Sequence, residues 1–198
     1  MKKGYYFLGA LIFAVASCGN NNQSGGTAQS ANDSNQAKID SSRSNQDTST
    51  ISASVTEKDS KFATDAAAIG MMEIELGKVA EQNATRKDVK DFGAMMVKDH
   101  SSAANDLTKI AEVKHIVLPT TLSADDQKKV DDMKAKTGTN FDKDYISMMI
   151  SGHKKAADEF DSEIKQGSDG DLRAFATKTL DVIKTHIQAA EKCKAMEK

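Results

Sequence analysis

From Thr56 to the C-terminus, apolar residues recur every three to four positions in four long segments, and the one proline of the chain, Pro119, falls between the second and the third. That spacing is the helical period, and a stripe so spaced needs another helix or a partner surface to cover it. The first segment carries Phe62, Ala66, Ile69, Met72, Leu76, Val79 and Ala80 on one face. The second carries Val89, Phe92, Met96, His100, Ala103, Leu107 and Ala111. The third presents Phe141, Tyr145, Met148, Met149, Gly152, His153, Ala156, Phe160 and Ile164. The fourth presents Leu172, Phe175, Thr179, Val182, Ile183, His186, Ala190 and Cys193.

Turn and cap residues divide the segments. Asn83-Ala84 closes the first helix, and Thr85 with Asp88 reads as a capping box for the second, which ends near Lys114 and His115. Ile116 to Leu122 reads as an extended loop, and Ser123 with Asp126 starts a short charged helix that stops at Gly138. Thr139 with Asp142 reads as the cap of the third long helix, Gly167 as its end, and Ser168 with Asp171 as the cap of the fourth. Short links make helices one and two, and again three and four, antiparallel pairs, while the long middle link is a crossover. The expected fold is all-α: a ferritin-like four-helix bundle over residues 56–198, two antiparallel hairpins joined by a crossover with a short extra helix.

Within these stripes one string occurs twice. Met95-Met96, three residues, His100, two residues, Ala103-Ala104 is matched by Met148-Met149, His153 and Ala156-Ala157. A third echo without the methionines is His186 followed by Ala189-Ala190. If the crossover spans the bundle, His100, His153, His186 and Glu75 fall within roughly 9 Å along its axis at 1.5 Å per residue. One polar side chain per helix at a shared depth is how bundles build metal sites. Glu75 and Glu73 lie toward opposite edges of the first stripe, where a solvated carboxylate is the competing reading for both.

The ligand types narrow the metal. Di-iron bundles place a Glu three residues before each histidine; here those positions are Val97, Ile150 and Ile183. Imidazole with thioether suits copper and tolerates zinc. The candidate metal ligands are thus Glu75, Met96, His100, Met149, His153 and His186, with Cys193 on the same face. No catalytic constellation is visible, so no enzyme is expected. The competing reading is a metal-free structural or partner-binding protein whose histidines are satisfied inside the core.

The N-terminus sets the compartment. Lys2 and Lys3 precede an apolar run from Tyr5 to Ala16, too short to span a bilayer. It ends in Val15-Ala16-Ser17-Cys18, which resembles a lipobox, so residues 1–17 read as a lipoprotein signal peptide and Cys18 as the lipidated residue. Gly19 after that cysteine resembles the pattern sorted to the outer membrane, giving an expected place on its periplasmic side. The competing reading is a cleaved secretory signal with an incidental cysteine. Residues 18–55, rich in Ser, Asn, Gln, Gly and Asp, read as a disordered tether. With 27 basic against 29 acidic residues and no basic block, a nucleic-acid partner has no support; the expected partners are the membrane, a metal ion and an unspecified protein.

From Phe62 onward the chain resembles the family known as domain of unknown function 4142. The stretches that carry this are Ala66 to Gly77, Met96 to His100, Phe141 to Tyr145 leading to His153, and Phe175-Ala176 leading to His186. The resemblance implies a ferritin-like fold and an exported bacterial protein, and no particular activity. The third helix is also similar to the domain of unknown function 305 family, some members of which bind copper through Met and His; that family has paired histidines after Met-Met, where this chain has Gly152 before His153.

Overall fold

A computed structural model describes residues 26–45, 52 and 55–197. Its elements are α1 (Ala28–Asn45), α2 (Glu57–Asn83), α3 (Lys87–Lys114), α4 (Ala124–Lys134), α5 (Gly138–Gln166) and α6 (Gly170–Ala195). Among the described residues there is no strand, and no helix is long and apolar enough to cross a membrane. The all-α bundle expected from the periodicity is the fold observed. The signal peptide and Cys18 lie outside the described residues.

Contacts between helix ends fix the chain path. At the start of α2, Lys58 Nζ donates to Gln166 Oε1 at the end of α5 at 2.7 Å. At the start of α3, Arg86 Nη2 donates to the Cys193 carbonyl at the end of α6 at 2.7 Å. Helices α2 and α5 are therefore antiparallel, as are α3 and α6, and α3 runs parallel to α5. Residues 115–137 must then travel the length of the bundle, carrying α4, which lays Val130 and Met133 against α2.

The tether expectation fails over residues 28–45, which form α1. Its buried positions are Ala31, Asn35 and Ile39, one per turn, so a stripe exists but is narrow and has an amide at its centre. Asn35 works as a backbone mimic: Oδ1 accepts from Val117 N at 2.7 Å, and Nδ2 donates to Val117 O at 3.0 Å. That pairing satisfies an otherwise irregular crossover segment and pins α1 to it.

Several caps differ from expectation because distant residues supply them. α2 has a capping box between Thr56 and Asp59, and α4 is capped by Ser123 with Asp126 as expected. Arg86, not Thr85, is the N-cap of α3, and it makes no side-chain cap; instead Thr85 N and Arg86 N donate to Asp142 on α5 at 3.0 and 3.1 Å. Asp142 therefore does not cap its own helix, whose N-cap is Thr137. Asp169, not Ser168, caps α6, accepting from Asp171 N and Leu172 N. α4 ends at Lys134 rather than Gly138, where Asn83 Nδ2 donates to the carbonyls of Lys134 and Lys136.

The core consists of two apolar blocks. One, toward the start of α3 and end of α6, holds Leu76, Phe92, Met96, Tyr145, Met149 and Ala190. The other, toward the opposite end, holds Leu107, Ala156, Phe160, Phe175 and Ile183. Between them, α3, α5 and α6 each contribute one histidine and α2 one glutamate, so a polar layer cuts across the bundle.

Candidate metal centre

Each layer residue follows from its helix stripe. His100 lies one turn after Met96 and two turns before Leu107; His153 stands likewise between Met149 and Phe160. A residue on the buried stripe cannot leave it without turning its whole helix, so the imidazoles are delivered inward with their apolar neighbours. His100, His153 and His186 are 8%, 1% and 0% exposed. Their ring centroids are 5.2 to 5.6 Å apart. One ligand nitrogen from each can be chosen so that all three lie within 4.8 Å of one another.

The carboxylate of the layer is Glu73, not Glu75. Glu75 points to the surface and pairs with Lys78 at 2.7 Å, its side chain 39% exposed. Glu73 is 3% exposed, with Oε2 3.1 Å from His100 Nε2 and Oε1 3.3 Å from His153 Nδ1. Periodicity could have chosen between them: Glu73 is three residues before Leu76 and seven before Ala80, both fully buried.

Hydrogen bonds assign the ring protons. His153 Nδ1 lies 2.9 Å from the Met149 carbonyl, which can only accept, so the proton is on Nδ1. His186 Nε2 lies 3.0 Å from Asp99 Oδ2, so its proton is on Nε2. The two remaining nitrogens, His153 Nε2 and His186 Nδ1, face each other at 3.2 Å with no proton left to share. His100 Nε2 is buried and has no hydrogen-bond partner; the nearby Glu73 oxygen is off hydrogen-bond geometry. His153 and His186 thus turn lone pairs toward each other, beside an unpartnered nitrogen of His100. Asp99, next to His100 in sequence and part-exposed, was not expected as a site residue; it orients the His186 ring from outside.

Electrostatics keep the layer uncharged. Burial, then the neighbouring His186 and His153, pushes His100 down to about 3. Burial and His186 push His153 down to about 4, against the Met149 carbonyl. Burial also lowers His186, with Asp99 opposing, and burial raises Glu73 to about 8. A second proton on either facing ring, which would relieve the lone-pair contact, is therefore unfavourable at neutral pH.

Two nitrogens bound to one tetrahedral ion, at about 2.0–2.1 Å each, stand about 3.3 Å apart. The 3.2 Å spacing of His153 and His186 fits that, and neutral imidazole is the ligating form. Met96 and Met149 lie a turn before their histidines in the apolar block beside the layer. Cys193 belongs elsewhere: its thiol donates to the Asp88 carbonyl at 3.7 Å and burial raises it to about 11.

The class of protein defined by fold and site is an all-α bundle with a buried three-histidine, one-glutamate layer. The chain belongs to the family described as Domain of unknown function (DUF4142), whose model matches residues 44–193. No curated protein and no solved structure matches it. The likeness of the third long helix, now α5, to the 305 family rests on its sequence pattern alone.

Proposed function

We propose that this protein is a metal-binding bundle of the bacterial envelope that holds one divalent ion, copper or zinc, between α2, α3, α5 and α6. The ion is held by His100, His153 and His186, with Glu73 as the fourth group in place of Glu75. The observation that carries the reading is the pair of buried ring nitrogens facing each other at 3.2 Å, each on a ring whose other nitrogen already meets an acceptor. Two lone pairs at that distance repel unless a cation lies between them. Three imidazoles and a carboxylate make a borderline donor set, which suits copper(II) and zinc. Met96 and Met149 add a soft flank that favours copper when reduced. On this reading the lipidated Cys18 holds the bundle at the periplasmic side of the outer membrane, for metal storage or protection against metal stress.

Calorimetric titration of the metal-free domain with zinc(II) and copper(II) tests it. Uptake near one ion per chain is expected, weakened at least about tenfold in His153→Ala and Glu73→Gln and unchanged in Glu75→Ala. Equal uptake by the wild type and His153→Ala would leave the histidines as core packing only.

A further inference from the structure

A cavity of about 30 Å³, walled on its outer side by part-exposed residues of α2 and α3, lies against one side of the polar layer. Small residues on three helices leave it open: Ala66 and Gly70 on α2, Ala103 on α3 and Ala156 on α5. A Cβ added to Gly70 would meet nothing within 4 Å. Phe160 and Phe175 stand in the wall, while Glu73, His100 and His153 close the side that belongs to the layer.

The repeated string explains the placement. In α3 and α5, which run parallel, the methionines before each histidine pack in one apolar block, and Ala103, Ala104 and Ala156 after it line the cavity. In α6, which runs the other way, Ala190 falls in the methionine block, and Thr179 and Ile183 take the cavity side. The void is thus produced by side-chain size at fixed positions on one side of the histidines. Methionines fill the other side.

Away from the layer the wall is apolar, formed by Ala66, Ala103, Ala156, Phe160 and Phe175, so that side of the cavity favours an apolar guest over water. Its volume suits a molecule of one or two heavy atoms. A site of three imidazoles and Glu73 takes an exogenous ligand by expanding to a fifth position, and Glu73, His100 and His153 bring that position to the cavity wall. Resting on the metal-binding reading, we propose that this cavity is the binding pocket for a neutral diatomic molecule of dioxygen size, taken up beside the ion held by His100, His153 and His186. The site therefore admits small apolar gases and excludes larger or charged ligands.

Two measurements on the whole domain test this, with metal content followed separately by calorimetry. Xenon titrated into the metal-free protein should shift the methyl resonances of Ala66, Ala103 and Ala156. Carbon monoxide added to the copper(I)-loaded protein should give a single infrared stretching band. Ala156→Leu, which fills the cavity and replaces no ligand, should weaken both by about tenfold or more while metal uptake persists. Ala66→Val serves the same purpose should the leucine disturb folding, with helicity checked by circular dichroism. Absence of xenon shifts in the metal-free wild type overturns the pocket. Xenon binding with no carbon monoxide band in copper-loaded protein overturns the ligand assignment. Failure to take up metal at all is visible in the calorimetry and counts against the metal-binding reading itself.

Discussion

His153 and His186 each give their only ring proton away from the other, one to a carbonyl and one to Asp99. Removing the Asp99 carboxylate frees the His186 ring to rotate or change tautomer. Asp99→Ala should therefore weaken metal binding by about 10–100-fold with little change in stability, since Asp99 is part-exposed. Asp99→Asn, whose amide oxygen can still accept, should recover most of it; equal affinity in wild type and Asp99→Ala would remove Asp99 from the site. The metal-free protein should also show a defined pH profile. Glu73 at about 8 and Glu163, raised to about 7 by burial and Asp59, hold protons in the fold that the unfolded chain loses near 4.5. Their effect is that stability falls as pH rises from 4.5 toward 8. His100 at about 3 and His153 at about 4 refuse in the fold the protons that the unfolded chain takes up below 6.5, so stability falls as pH drops through that window. Urea midpoints should stay roughly level between about pH 4.5 and 6.5, where the two effects oppose each other, and decline on both sides, with Glu163→Gln giving a shallower alkaline decline. A midpoint that climbs steadily from pH 6.5 to 8.5 would contradict this.

At the scale of the element, helix type and the buried faces were legible because the 3.6-residue stripe is long and strong in α2, α3, α5 and α6. The choice between Glu73 and Glu75 was legible in principle and missed, since both lie near a stripe edge. Helix α1 was not legible: its stripe is Ala31, Asn35 and Ile39, and the amide at its centre is buried only because the Val117 backbone meets it. Caps were the least readable feature. Thr85 and Asp88 have the spacing of a capping box, yet the acceptor for Thr85 N and Arg86 N is Asp142, over fifty residues away. Asp142→Ala should thus cost about 1–3 kcal/mol by leaving both amides without their acceptor. Thr85→Ala should change stability by less than about 0.5 kcal/mol, and equal losses in urea unfolding would contradict the assignment. The α2–α3 contact depends on close backbone approach, since a Cβ on Gly93 would sit 2.8 Å from Ala80 Cβ and 2.9 Å from the Gly77 carbonyl. Gly93→Ala should cost about 1–3 kcal/mol through overpacking, measured the same way.

Across the whole molecule, the polar layer is where two apolar blocks meet, and it costs stability when metal-free because four titratable groups are buried together. A bundle designed only to persist would fill that level with apolar side chains, as the block of Met96, Tyr145 and Met149 beside it is filled. Binding an ion to the folded state alone should offset the cost, adding about 2.7 kcal/mol at a hundredfold excess over the dissociation constant. The measurement that bears most directly on this account is the metal content of the protein isolated from its own cells without added metal. About one equivalent of copper or zinc per chain is predicted, lost in His153→Ala and retained in Glu75→Ala. Wild-type protein carrying neither metal, or carrying as much as His153→Ala, would contradict it.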